Sequence, residues 1–206
     1  MPYPVREITQ PTLSLLIYHR VREVPDPLFP EEVDRASFTR HMTWLRRWFR
    51  VLPLTEAVRR LADGSLPRRA ASITFDDGYA DNAEIALPIL KKYEIPATFF
   101  IATGYLDGGV MWNDAVIHAI RKSGQELDLR KIGLDRYQLV DNASKRNAID
   151  RVLGQLKYFE QEKRTRIAAE ILDIAGEDAP NDLMMSSRQV REHGEASTRL
   201  RDTWNI

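Results

Sequence analysis

Two adjacent carboxylates, Asp76 and Asp77, form the part of this sequence best suited to chemistry. They follow the apolar segment 71–75, and Gly78 behind them permits a tight turn. Neighbouring side chains of an extended segment point in opposite directions, so the two aspartates suit two tasks, one binding a cation and one accepting a proton. An ordinary turn, with both carboxylates accepting backbone N–H bonds, fits the same residues. A catalytic and a structural interpretation therefore both remain open.

The elements around these aspartates predict an α/β fold with parallel strands. Strands are expected at 13–18, 51–52, 71–75 and 97–102, the first of them buried. Helices are expected at 38–49, 55–61, 82–93 and from 113 onwards, with Ser37, Thr55 and Asn113 as caps of three of them. A strand, a helix and a strand of these lengths form a parallel βαβ unit, which indicates a (β/α) barrel or an open sheet. Both architectures bind ligands at the carboxyl ends of their strands, where Asp76 and Asp77 lie.

The C-terminal half of the sequence changes to helical periodicity. Residues 144–175 predict two amphipathic helices, interpreted as a helical insertion over about 144–176. Ser186 and Gln189 form a candidate capping box for a last helix. Residues 193–206 carry little apolar periodicity and are expected to be a disordered tail.

Charge and composition exclude several classes of function. Thirty Lys and Arg residues balance thirty Asp and Glu residues, so no overall field attracts nucleic acid or anionic lipid, and neither partner is expected. Cysteine is absent, which excludes disulfides, thiolate metal sites and a cysteine nucleophile. The apolar run 13–18 is too short for a signal segment or a membrane span, so a cytoplasmic protein is expected.

The segment around the aspartates resembles a known family. Residues 73–79, followed by Asn82, Leu87-Pro88 and 96–100, are similar to the first motif and following βαβ unit of the polysaccharide deacetylases, or NodB-like carbohydrate esterases. The resemblance extends upstream through Tyr18-His19-Arg20 and downstream through 111–114. It therefore covers roughly residues 13–122, which is far more specific than a lone motif.

This resemblance implies a distorted, incomplete (β/α) barrel that hydrolyses N-acetyl or O-acetyl groups on an acetylated polysaccharide or oligosaccharide. Asp76 matches the family's general base, which deprotonates a metal-bound water. Asp77 matches a carboxylate ligand of the divalent metal, usually zinc. Such a metal lowers the pKa of its water towards neutrality, so a carboxylate base suffices.

The sequence departs from the family where the second motif is expected. The family completes its metal site with a downstream His-(Ser/Thr)-x-x-His motif, whereas His19, His41, His118 and His193 include no pair three or four residues apart. The likeness stops after Glu192. We therefore expect a truncated deacetylase-like domain at 1–192 that lacks its C-terminal strands and is impaired, with a frameshift or early stop near residue 191 as the simplest cause.

Three more side chains are candidates for the site. His19, at the end of the first strand, would face the same crevice as Asp77 and is a candidate metal ligand, although bonding to loop backbone fits it equally. Tyr79 and Trp112 are candidate sugar-stacking residues, with packing roles as the alternative. Three functions remain open: an impaired deacetylase, a non-catalytic glycan-binding or regulatory protein, and a different metal-dependent hydrolase using Asp77 and His19.

Overall fold

The computed structural model of this protein describes residues 12–192 and 204–205. Their contacts divide the chain into two compact units. The first comprises the described residues of Met1–Val24, Glu32–Thr103 and Met185–Ile206, and the second comprises Pro25–Glu31 and Gly104–Met184. The second unit is thus larger than the predicted insertion over 144–176. None of the helices in the described part of the chain is long and apolar enough to cross a membrane.

The predicted strands and helices occur in the expected order, but the strand predicted at 97–102 ends at Phe99. The strands are β1 (Leu13–Tyr18), β2 (Arg50–Val51), β3 (Ala70–Phe75), β4 (Ala97–Phe99), β5 (Glu126–Asp128), β6 (Arg136–Gln138) and β7 (Trp204–Asn205). The α-helices are α1 (Arg35–Trp48), α2 (Leu54–Ala62), α3 (Leu87–Tyr93), α4 (Trp112–Lys122), α5 (Asn142–Leu156) and α6 (Gln161–Ala175). A π-helical turn spans Asn82–Ala86, 3₁₀ turns span Thr103–Tyr105 and Arg130–Ile132, and residues 187–192 are helical.

The first unit is organised around β3. Its residues pair with β1 along one edge, from Leu13↔Ala70 to Tyr18↔Phe75, and with β2 and β4 along the other. All of these pairings are parallel, and every residue of β3 is buried, as expected for the central strand of a parallel sheet. The predicted α/β fold with parallel strands is therefore confirmed.

The sheet differs from expectation at both ends of its strand order. Strand β1 was expected to be buried, but Leu15 is 48% and Ile17 is 55% exposed. Within the described residues β1 pairs only with β3, so it lies at the edge of the sheet. At the other end, Trp204 and Asn205, which belong to the tail predicted to be disordered, form β7 and pair in parallel with β4. The rest of the predicted disordered tail lies outside the described residues.

Helix starts depend on which polar residue accepts the first free N–H groups. Asp34 rather than Ser37 caps α1, since its Oδ1 accepts from the Ser37 amide at 2.7 Å. Helices α2 and α4 begin after Pro53 and Met111, so the predicted caps Thr55 and Asn113 are also wrong.

The predicted capping box of Ser186 and Gln189 is confirmed. The Ser186 amide donates to Oε1 of Gln189 at 2.8 Å, and the Gln189 amide donates to Oγ of Ser186 at 3.2 Å.

The predicted helix 82–93 is divided into a π-helical turn and α3. Pro88 lies in the first turn of α3 and has no N–H to donate to the preceding turn. The backbone accommodates this with the wider π register, in which the Leu87 amide bonds to the carbonyl of Asn82. Such turns are frequent at functional sites, and this one begins four residues after Gly78.

The second unit is a helical body with its own core. The predicted helices at 144–175 are present as α5 and α6, and α4 packs with them around a shared apolar cluster. An antiparallel hairpin, β5 with β6, completes the unit. Sequence periodicity missed this hairpin because each strand has only three residues.

Candidate active site

The structure places Asp76 and Asp77 immediately after β3, at the carboxyl end of the parallel sheet. The Asp76 amide donates to the carbonyl of Tyr18 at 2.9 Å, and the Phe100 amide donates to the carbonyl of Phe75 at 2.8 Å. Hydrogen bonds thus join the end of β3 to the end of β1 on one side and to the residue after β4 on the other. Both aspartates are partly buried, at the edge where parallel sheets bind ligands.

Aromatic packing in the core fixes Phe75, the residue that precedes the turn. The ring of Phe75 stacks on Phe99 at 4.8 Å and on Tyr18 at 5.4 Å, measured between ring centroids. Phe38 of α1 meets Tyr18 edge-on at 5.1 Å. These rings are buried, so the last residue before the aspartates is held firmly within the core.

The backbone at Asp77 adopts a conformation that few residues tolerate. Its φ is +73°, in the left-handed region, and the Gly78 amide donates to the carbonyl of Asp76 at 2.9 Å. A three-residue turn closed in this way with a positive φ at its centre is a strained γ-turn. Strain of this kind costs about 1–3 kcal/mol and persists only when surrounding contacts impose it.

Contacts from two further segments impose this turn. The Ala102 amide donates to the carbonyl of Asp77, and the Met185 amide donates to the carbonyl of Gly78, each at 3.0 Å. Gly78 itself has φ +83°, and a Cβ there would lie 2.9 Å from Cγ2 of Ile101. Only glycine fits that position without displacing Ile101. The two carboxylates are therefore presented on a rigid backbone.

The side chains of Asp76 and Asp77 are not used to build the turn. Within residues 12–192, neither carboxylate accepts a hydrogen bond or forms an ion pair. The structural interpretation of an Asp-Asp-Gly turn requires carboxylates that accept backbone N–H bonds. Backbone amides hold this turn instead, which leaves both carboxylates available to a ligand.

His19 emerges beside Asp76 at the same edge of the sheet. It follows Tyr18, which pairs with Phe75, so His19 and Asp76 occupy corresponding positions on neighbouring strands. Its side chain is exposed, and its carbonyl accepts from Nδ2 of Asn82 at 2.8 Å. A role for His19 as a metal ligand stays a prediction.

The two aromatic candidates have different surroundings. Tyr79 is 4% exposed, and the guanidinium of Arg20 lies over its ring at 4.4 Å from the centroid. Trp112 belongs to the second unit, where the guanidinium of Arg164 lies over its ring at 4.8 Å. A sugar that stacked on either covered face would have to displace an arginine. Sugar contacts by both residues stay predictions.

The donor set near Asp77 does not amount to a metal site. Among residues 12–192 and 204–205, no group of three or more His, Cys, Asp or Glu side chains is arranged to hold a metal ion. A catalytic zinc requires three protein ligands and an open position. The described residues therefore do not fit a zinc centre.

A buried ion pair close to the turn was not found from the sequence. Nε of Arg20 donates to Oδ2 of Asp81 at 2.7 Å, with side-chain exposures of 13% and 10%. Burial raises the pKa of Asp81, and the charge of Arg20 opposes that rise. The two residues are 61 positions apart, and no local pattern connects them.

Comparison with known proteins gives a family match over a segment that contains Asp76 and Asp77. Residues 63–170 match the family model described as polysaccharide deacetylase. YxkH of Bacillus subtilis, by its name a polysaccharide deacetylase, is 36% identical over 91 residues, 43% of this chain and 31% of that protein. The poly-β-1,6-N-acetyl-D-glucosamine N-deacetylase of Staphylococcus aureus is 40% identical over 75 residues, 36% of this chain and 26% of that protein. The matched stretch thus spans less than a third of these curated relatives.

A solved structure shares a longer but weaker likeness. The Streptococcus pyogenes deacetylase PplD, determined in complex with acetate, is 20% identical. The alignment covers 79% of this chain and 81% of PplD, with a TM-score of 0.43.

Proposed function

Because this chain belongs to the polysaccharide deacetylase family, we propose that it is a hydrolase removing acetyl groups from a glycan. The observation that carries the proposal is the rigid turn that presents Asp76 and Asp77, without partners among the described residues, at the carboxyl end of β3. The parallel sheet of the first unit would then be part of an incomplete (β/α) barrel of the family's type.

In this proposal Asp76 is the general base. A water attacks the acetyl carbon and gives one proton to Asp76. As the carbon–nitrogen bond breaks, Asp76 returns this proton to the departing nitrogen, so the products are acetic acid, which ionises to acetate, and a free amine. Asp76 suits the role because its amide is fixed to Tyr18 and its carboxylate has no competing partner within residues 12–192. The name of the staphylococcal relative supports an N-acetylglucosamine polymer as the substrate.

We further propose that the activity of this chain is impaired. Family resemblance assigns Asp77 to a divalent metal, most simply zinc, with His19 as a second candidate. The described residues supply no third ligand, so metal binding is expected to be weak and no step is assigned to it. The cytoplasmic location stays a prediction.

A second candidate function is a non-catalytic glycan-binding or regulatory protein. The observation favouring it is the combination of an intact aspartate turn with no three-ligand cluster among the described residues. Such a protein would keep the crevice and bind the acetylated glycan without releasing acetate.

The test is release of acetate and free amine from a β-1,6-linked N-acetylglucosamine oligomer, with and without added zinc. Asp76→Asn should abolish release. Asp150→Asn, the same change at an exposed position of α5, should not alter it. Binding of the oligomer without release would favour the second function. Neither binding nor release would contradict both.

A further inference from the structure

Residues 19–21 leave the sheet where the candidate site begins, and they are not paired in the ladder between β1 and β3. Tyr18 is the last residue of β1 paired with β3, and its carbonyl accepts the amide of Asp76. Beyond that point the chain carries the exposed side chain of His19 beside Asp76. Contacts from outside the sheet must therefore fix the backbone of residues 19–21.

Two successive side chains supply those contacts. Nδ2 of Asn82 donates to the carbonyl of His19 at 2.8 Å. Asp81 accepts from the amide of Val21 at 3.3 Å and from Nε of Arg20 at 2.7 Å. Each of the three successive residues is thus bound by Asp81 or Asn82.

Burial limits how much this arrangement adds to stability. Asp81 is 8% exposed, and Asn82 and Val21 are fully buried. A buried ion pair is weak evidence for stability, because desolvation offsets the attraction between the charges. Oδ1 of Asn82 is buried without a hydrogen-bond partner among the described residues, which is unfavourable. Among the described residues, the bond to the His19 carbonyl is therefore the one hydrogen bond made by the side chain of Asn82.

We propose that Asp81 and Asn82 are positioning residues that hold His19 beside the turn of Asp76 and Asp77. The inference rests on the proposed function, since the site they serve is the deacetylase site. The π-helical turn begins at Asn82, and this register is typical of functional positions. The two residues act by holding the backbone of His19 and Val21 and the side chain of Arg20, and they do not contact the substrate.

Asn82→Ala is the variant that tests the proposal. Asp81→Ala leaves Arg20 buried without its partner and can prevent folding, whereas Asn82→Ala removes an unpaired acceptor together with the donor. Ser72→Ala is the matched control. Ser72 is fully buried in β3, and its Oγ donates to the carbonyl of Leu52 at 2.9 Å, so this variant also loses one side-chain bond to a carbonyl.

The measurements are hydrogen exchange of the Val21 amide and binding of a β-1,6-linked N-acetylglucosamine oligomer. Asn82→Ala should speed exchange at Val21 about tenfold and raise the Kd about fivefold, as expected when one buried hydrogen bond is lost. Ser72→Ala should leave both quantities within about twofold of the wild type.

Equal exchange rates at Val21 in the two variants would overturn the proposal. Faster exchange in Asn82→Ala with a Kd equal to that of Ser72→Ala would overturn the positioning role, because the loosened segment would not serve the site. If the wild type binds no oligomer, the proposed function is contradicted, and the exchange comparison alone decides whether Asn82 positions residues 19–21.

Discussion

Gly78→Ala provides a quantitative test of how tightly the aspartate turn is held. The substitution adds one methyl group at φ +83°, with its Cβ 2.9 Å from Cγ2 and 3.4 Å from Cα of Ile101. Gly64→Ala is the control in the same unit. Gly64 has φ +75°, and apart from its chain neighbours no heavy atom of the described residues lies within 4 Å of the corresponding Cβ. The two variants share the backbone penalty and differ in the steric contact.

The expected magnitudes follow from that difference. A left-handed backbone costs an alanine about 1–2 kcal/mol, which is the full cost expected for Gly64→Ala. Overpacking against Ile101 adds about 1–3 kcal/mol at Gly78. Gly78→Ala should therefore lower the free energy of unfolding by about 2–5 kcal/mol.

Urea unfolding followed through the amide signals of β3 measures this quantity with a probe in the first unit, which contains both glycines. A double-mutant cycle with Ile101→Ala isolates the contact and should return a coupling energy of about 1–3 kcal/mol. If Gly78→Ala costs no more than Gly64→Ala, the steric argument at Ile101 is wrong. If neither variant costs anything, the argument from positive φ is wrong as well.

Two further predictions concern Asp77 in the turn and Tyr18 in the aromatic cluster around Phe75. Asp77→Gly should raise the free energy of unfolding by about 1 kcal/mol in urea titrations, because glycine relieves the strain at φ +73°; a less stable variant would show that the turn is unstrained. Burial raises the pKa of Tyr18 to about 12. Since the unfolded phenol ionises near its ordinary pKa of 10.0, stability should fall as the pH rises from 10.0 to about 12. Tyr18→Phe should remove this part of the decline in thermal unfolding, whereas Tyr158→Phe, which removes an 80% exposed phenol, should not.

Local sequence patterns identified most of the elements that build the site. The apolar run before Asp76 and the glycine after Asp77 predicted a strand followed by a tight turn, and β3 ends at Phe75. Helical periodicity likewise located α1, α5 and α6. These predictions succeed because the hydrophobic period and the turn residues act within one or two turns of chain.

Helix starts were predicted less well than helix interiors. Asp34 and Ser37 are three residues apart, and each has a side chain that can accept a backbone N–H. The extended backbone at Asp34 lets its carboxylate reach the Ser37 amide, so the helix begins earlier than predicted. The outcome depends on where the incoming loop runs, which spacing does not reveal.

The sequence by itself determined the family, the parallel α/β fold and the position of Asp76 and Asp77 after a strand. Only the tertiary structure decided that Asp77 is strained, that the carboxylates have no partner among the described residues, and that Arg20 pairs with Asp81. The physical reason is that these properties arise from contacts between distant segments. The amides of Ala102 and Met185 reach the turn only when the chain has folded, and their sequence positions carry no trace of that contact.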